Sequence, residues 1–271
     1  MPRLKHRPRK RFGQHFLHDP AVLRRIVEAV SPRPGDRLVE IGPGQGALTL
    51  PLLATGIELH VIEIDRDLAP QLAARAGGAA ARLHVIEADA LQVDFTALAR
   101  QLGSPLRICG NLPYNISTPL LFHLLRHREH IADMHFMLQK DVVQRMCASP
   151  GSKTYGRLSV MLATACRVSA LFDVGPGAFK PPPRVDSSVV RLEVPRDPPL
   201  ALRDPDIFAN LVRTAFSARR KTLRNALKGH VDTATIEAAG LDPGARPETV
   251  PPAGFAALAN AAATADAPGA G

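Results

Sequence analysis

Between residues 37 and 138, short runs of aliphatic and β-branched residues alternate with segments whose apolar positions recur every three to four residues. The runs are 37–41, 58–64, 83–88, 106–110 and 134–138. The segments between them, among them 68–76 and 120–126, have the length that a crossover between parallel strands demands. The alternation predicts a doubly wound α/β domain with helices on both faces of a parallel sheet. After Ser169 the pattern changes to proline-rich loop, and Phe179-Lys180-Pro181-Pro182-Pro183 leads into an alternating run, 187–194, read as one more strand, antiparallel and at an edge. Pro195-Arg196-Asp197-Pro198-Pro199 is a stiff linker by composition. Residues 206–227 and 233–239 have helical spacing and predict a small C-terminal all-helical domain. The expected division is therefore 1–195, 196–260 and, from its Ala/Gly/Pro composition, a disordered tail at 261–271.

Charge narrows the choice of partner. The 271 residues carry 34 Lys and Arg against 25 Asp and Glu, a formal charge of +9, so the chain calls for an acidic partner or surface. Arg3, Lys5, Arg7, Arg9, Lys10 and Arg11 open it as a basic arm with no apolar stretch of signal-peptide length behind them. No apolar run approaches the ~18 residues of a membrane span. Three cysteines, Cys109, Cys147 and Cys166, are odd in number and lack C-x-x-C spacing, which argues against a disulfide framework or a metal site and fits a cytoplasmic setting.

Candidate chemistry begins at Leu38-Val39-Glu40-Ile41-Gly42-Pro43-Gly44-Gln45-Gly46, three glycines directly after a strand and before a helix. Glycine there lets the backbone turn sharply and approach a ligand that any Cβ would exclude. The spacing is G-x-G-x-G rather than the dinucleotide G-x-G-x-x-G, and the absence of a following Lys excludes a P-loop. Glu63 ends the second strand 21 residues after Gly42, where a carboxylate accepts ribose hydroxyls, and Asp89 ends the third, where one can accept an exocyclic amino hydrogen. These describe an adenosyl site at the sheet's carboxyl edge, open between a nicotinamide dinucleotide and S-adenosylmethionine.

Asn111-Leu112-Pro113-Tyr114 follows the fourth strand. The amino nitrogen of adenine is a poor nucleophile because its lone pair is delocalised into the ring. The Asn111 side-chain oxygen and the Leu112 carbonyl can each accept one amino hydrogen and favour a pyramidal nitrogen aimed at an incoming methyl group, while Tyr114 stacks on the base. No strong general base is needed before attack, and catalysis rests on placement.

With these motifs in order, the chain resembles the ribosomal RNA adenine N6,N6-dimethyltransferases, and within them the bacterial small-subunit branch. The likeness covers about residues 9–258. It rests on Arg11-Phe12-Gly13-Gln14-His15-Phe16-Leu17, the glycine turn, Ile62-Glu63-Ile64-Asp65, Ala88-Asp89-Ala90-Leu91, Asn111-Leu112-Pro113-Tyr114, Phe179-Lys180-Pro181-Pro182-Pro183-Arg184-Val185-Asp186-Ser187-Ser188, and Arg219-Arg220-Lys221-Thr222-Leu223-Arg224-Asn225. The resemblance implies a Rossmann-like methyltransferase domain that uses S-adenosyl-L-methionine to dimethylate two adjacent adenosines near the 3′ end of 16S rRNA within an immature small ribosomal subunit. It implies that Gly42 and Gly44 face the methionine part of the cofactor, Glu63 its ribose, and Asp89 with Ala90 its adenine. Asn111 is then shared between cofactor and substrate, and an arm carrying His15 and Leu17 folds over the cofactor. His15 stands where the family usually has Asn. Phe179 matches the family's second stacking aromatic, opposite Tyr114, although a Phe before a proline run otherwise reads as a core plug.

Six cations and no acid lie between Arg213 and Lys228. At about 100° per residue Arg213, Arg220, Lys221, Arg224 and Lys228 share one face beside an apolar stripe of Val212, Phe216, Leu223 and Leu227, while Arg219 falls outside it and suggests a break near Ser217. An unbalanced run of this kind reads as a phosphate track, with Arg219, Arg220, Lys221 and Arg224 as the RNA-binding set. The rival readings are a 23S rRNA adenine methyltransferase conferring antibiotic resistance, a non-catalytic ribosome-assembly factor, and a nicotinamide-dependent dehydrogenase. Nothing in the chain demands more than a monomer.

Overall fold

The computed structural model describes residues 15–103 and 105–265. The basic arm and the Arg11 to Gln14 part of the first motif lie outside the described residues. The chain divides into two compact units, one comprising Met1–Val143 with Ser169–Val194, the other Gln144–Val168 with Pro195–Gly271.

In the first unit, a short strand β1 (Phe16–Leu17) precedes α1 (Pro20–Val30), and then β2 (Arg37–Ile41), α2 (Thr49–Ala54), β3 (Leu59–Glu63), α3 (Ala69–Ala76) and β4 (Leu83–Glu87) follow. After α4 (Phe95–Leu102) come β5 (Leu106–Asn111), α5 (Ser117–Leu125) and β6 (Ile131–Gln139). The chain then passes through α6 (Lys140–Met146) and α7 (Arg157–Ala163) to β7 (Arg167–Val174), β8 (Phe179–Lys180) and β9 (Ser187–Glu193). Seven strands form one sheet in the order β4-β3-β2-β5-β6-β9-β7. The first five are parallel, and β9 runs antiparallel to β6. From β2 the chain winds outward to β3 and β4, then returns to the other side of β2 for β5 and β6. The gap beyond the carboxyl ends of β2 and β5 is therefore the topological switch point, where open α/β sheets place their ligands.

The run 187–194 is antiparallel as expected but is not an edge: β9 lies between β6 and β7. The edge is β7, which the hydrophobic pattern does not predict. Five of its eight residues are exposed, so it lacks the buried alternation that marks a strand from sequence.

The second unit is helical, with α8 (Pro205–Ser217), α9 (Leu223–Ala226), α10 (Thr233–Ala238) and α11 (Pro252–Ala265) joined by α7. Asp204 caps α8 by accepting from the N–H groups of Asp206 and Ile207, and a break at residues 218–222 separates α8 from α9, near the break expected at Ser217. Its core gathers Tyr155, Phe208, Leu211, Val212, Leu223, Leu227, Ile236 and Phe255. Segment 144–168, expected within the first domain, groups with this unit, since Tyr155 and Val160 pack in its core and the Tyr155 hydroxyl donates to the Val250 carbonyl at 2.8 Å. The expected tail also changes. Residues 261–265 continue α11, with Ala259 and Ala262 buried, because small side chains let the helix lie close to its neighbours; residues 266–271 lie outside the described residues.

Candidate functional site

At the switch point a cavity of about 290 Å³ opens. Its floor is set by backbone geometry. Gly42, Gly44 and Gly46 all have positive φ (68°, 54° and 81°), which β-carbon-bearing residues rarely adopt. Gly42 N–H donates to the Ile62 carbonyl at 2.9 Å, and Ala88 N–H to the Glu63 carbonyl at 3.1 Å, so three successive strand ends are tied side by side. Gly110 completes the frame: a Cβ there would lie 2.4 Å from the Ile41 carbonyl oxygen. Only glycine lets β5 run this close to the end of β2, and that approach places Asn111 beside the glycine turn.

The acids are held by main-chain donors. Glu63 accepts from Gly44 N–H at 3.1 Å and from Asp65 N–H at 2.9 Å, and burial pushes its carboxyl up against the lowering effect of those bonds. Asp89 accepts from Leu91 N–H at 3.0 Å. Glu40, not singled out in the sequence, also lines the cavity. It is 2% exposed, accepts from the Thr49 hydroxyl at 2.7 Å, and burial pushes its carboxyl up to about 8. A nearly neutral buried acid at a cavity wall takes its charge when a cation arrives to pair with it. Its signal was present in the sequence as one charge inside the apolar strand Leu38-Val39-Glu40-Ile41.

Asn111 Nδ2 donates to the His15 carbonyl at 3.1 Å. That bond fixes which end of the amide is which, and leaves Oδ1 as the acceptor. Leu112 N–H donates to the Met137 carbonyl at 3.2 Å, anchoring the turn to β6. The Tyr114 hydroxyl shares a 2.7 Å hydrogen bond with the Ser187 hydroxyl, and burial raises its pKa. Its ring centroid lies 5.6 Å from that of His15, with the planes tilted by 30°. The His15 ring in turn donates from Nδ1 to the Pro181 carbonyl at 2.9 Å, while β1 pairs with β8 through Phe16↔Lys180 and Leu17↔Phe179. The strap at His15–Leu17 is thus fastened to β8 in a separate two-stranded sheet and, through Asn111, to the end of β5 in the main sheet.

Of the residues expected from the sequence, His15, Leu17, Gly42, Gly44, Glu63, Asp89, Ala90, Asn111, Leu112 and Tyr114 all line this cavity. Phe179 does not. It is 3% exposed and packs with Leu17, Met137, Val174 and Val189 in the apolar core, because pairing of β8 with β1 places it among these side chains. This is the core plug that its bare sequence context suggested, and the base-stacking role implied by the motif has no geometric counterpart here. In the second unit Arg220, Lys221 and Arg224 are exposed. Arg219 instead pairs with Glu248 at 2.5 Å and donates to the Lys153 carbonyl at 2.9 Å, which accounts for its lying off the basic face.

The glycine-floored cavity with paired acids and an oriented amide suits a nucleoside cofactor beside an amino-bearing base. Comparison with known proteins places it. The ribosomal RNA adenine dimethylase family model matches residues 5–264. The chain is 55% identical to ribosomal RNA small subunit methyltransferase A of Pseudomonas aeruginosa, over 94% of each protein. It is 58% identical to the protein of the same name in Xanthomonas campestris pv. campestris, over 93% of this chain and 95% of that one. Among solved structures, a dimethyladenosine transferase from Plasmodium falciparum superposes with a TM-score of 0.77 at 28% identity, over 90% of this chain and 96% of that one. The chain belongs to the ribosomal RNA adenine dimethylase family.

Proposed function

We propose that the protein uses S-adenosyl-L-methionine to dimethylate N6 of two adjacent adenosines near the 3′ end of 16S rRNA in an immature small ribosomal subunit, acting as a cytoplasmic monomer. The carrying observation is the Asn111 amide, clamped by the His15 carbonyl so that its oxygen is left to accept inside the cavity. The small-subunit methyltransferase names of relatives at 55% and 58% identity favour 16S over 23S rRNA as substrate.

The cavity's chemistry fits the cofactor. Glu63 would accept the ribose hydroxyls and Asp89, with Ala90 beside it, would meet the adenine amino group. The positive-φ turn at Gly42 and Gly44 would admit the methionine part, near the buried acid Glu40, and His15 and Leu17 would cover it. When bound, S-adenosylmethionine supplies a methyl group on a sulfonium centre. The chain's own residues do the rest. Asn111 Oδ1 and the Leu112 carbonyl accept the two N6 hydrogens, which concentrates the lone pair on nitrogen and directs it. Tyr114, held by Ser187, offers its ring to the extruded base, and such a stack is worth about 1–3 kcal/mol against the few kcal/mol needed to unstack it. As the nitrogen–carbon bond forms and the sulfur–carbon bond breaks, the N6 proton becomes acidic and leaves to solvent, so no side chain need remove it first. A second round on the same nitrogen finds one hydrogen left, which either oxygen can hold.

Incubating immature small subunits with the protein and labelled cofactor, then mapping the methylated positions by mass, tests the reading. Two adjacent N6,N6-dimethyladenosines near the 3′ end of 16S rRNA are expected. Label only at other positions of the 16S rRNA, or no label at all, would refute it.

A further inference from the structure

The second unit holds a surface depression of about 720 Å³ lined by Arg224, Asn225, Lys228, His230, Asp232 and Thr233 among others. Its volume falls within the range of about 300–1,000 Å³ typical of small-ligand sites. The backbone beneath it is fixed. Leu223, Ala226 and Leu227 bury one face of α9 and the turn after it, Leu223 N–H donates to the Ala245 carbonyl at 2.8 Å, and Arg224 N–H donates to the Pro243 carbonyl at 3.1 Å. Arg224 on α9 and Lys228 in the turn after it both line the depression and are both exposed. Gly229, with φ of 84°, turns the chain so that His230 and Asp232 close the rim, and a Cβ at Gly229 would meet nothing within 4 Å, leaving the opening clear.

The charge is asymmetric. Arg224 and Lys228 face a single carboxylate, and Asp232 is already engaged: its Oδ1 accepts from the Thr235 N–H at 2.8 Å and hydroxyl at 2.6 Å, bonds that hold its carboxyl below the usual range. The cations are thus left for an external anion. Arg224 can grip a phosphate with two parallel N–H groups and Lys228 can add a point charge. The Asn225 amide and Thr233 hydroxyl are suited to a ribose, and Val231 and Ala262 give an apolar wall to the same depression. Continuity with Arg220 and Lys221 along the chain points to a polyanion rather than a free small anion.

We infer that this depression is a binding site for one unpaired ribonucleotide of the RNA substrate, with its phosphate on Arg224 and Lys228. The inference rests on the RNA reading above but adds Lys228 and His230, and it concerns a site separate from the methyl-transfer cavity.

The full chain, isotope-labelled, is titrated with a 5′-phosphorylated single-stranded RNA hexamer, reading amide shifts and affinity at several salt concentrations. The Gly229 and His230 amides are expected to move. Exchanging Arg224 and Lys228 together for Gln should remove those shifts, weaken binding about tenfold and flatten the log–log salt slope by roughly 0.7, the value for the one phosphate that the two cations share on a single strand. Arg213→Gln, an exposed cation outside the depression, is the control and should preserve the Gly229 and His230 shifts. Shifts confined to other regions, an unchanged slope in the double variant, or equal loss in the control would overturn the site. Polyglutamate moving the same amides while RNA does not would assign the depression to an acidic protein instead. The readout is binding alone, so loss of methylation with these shifts intact counts against the proposed reaction and not against the site.

Discussion

At the switch point of the sheet, Glu63, Asp89 and Asn111 are each tied to main-chain groups. On the second unit, Arg220, Lys221 and Arg224 stand exposed on a backbone anchored from below by Leu223 and Leu227. The first arrangement fixes acceptors to the precision that one reacting nitrogen requires. The second leaves long cationic side chains free to follow a phosphate backbone whose sequence they need not read. Rigid placement and mobile charge are thus divided between the two units, and the difference can be probed from either side.

The largest expected effect is on placement. Asn111→Ala should cut turnover by about 100–1,000-fold, the usual loss when an oriented hydrogen-bonding group is removed at a reacting centre. Affinity for rRNA should hold, as single-turnover and binding assays would report; a near wild-type rate would erase the distinction between the units. Next comes the frame. Gly110→Ala forces a Cβ to 2.4 Å from the Ile41 carbonyl, so β2 and β5 must part. A stability loss of about 3 kcal/mol is expected in denaturant melts, with activity falling further than stability because Asn111 shifts. On the opposite side, replacing Arg220, Lys221 and Arg224 together with Ala should weaken rRNA binding about tenfold or more. It should flatten the salt slope by roughly 2 to 3, with cofactor affinity unchanged by calorimetry.

The smallest effect tests how dry the cavity wall is. The Glu40 carboxyl titrates at about 8 in the folded protein and about 4.3 in an unfolded chain. The fold therefore keeps a proton that the unfolded chain releases across that window. The stabilisation is full below about pH 4.3 and is lost as pH rises through about 8. Glu40→Gln cannot titrate, so between pH 6 and 9 its melting temperature should fall less than that of the native chain, by the equivalent of about 2 kcal/mol. Parallel pH curves would show that Glu40 is already ionised.

The same contrast explains what the sequence disclosed. β2, β3, β5 and β6 were legible because burial on both faces favours runs rich in aliphatic and β-branched residues, and the glycine turn because positive φ restricts residue choice so strongly. The fastening of Asn111 by a residue 96 positions earlier leaves no local pattern. Glu40 was overlooked because its pKa depends on burial, which a strand sequence alone does not specify. β7 was missed because an exposed edge carries little periodicity. Phe179 is the opposite case: a motif suggests stacking, whereas pairing of β8 with β1 seats that ring in the core. Arg219 stands off the basic face already in the helical projection, but its partner Glu248, 29 residues away, leaves no local pattern.

The most direct test of the account is a crystal structure of the protein with S-adenosylhomocysteine and adenosine bound together. The account predicts adenosine N6 within about 3 Å of both Asn111 Oδ1 and the Leu112 carbonyl, with its ring against Tyr114. An adenosine whose N6 meets neither oxygen, or an Asn111 whose amide has turned its nitrogen toward the base, would contradict it.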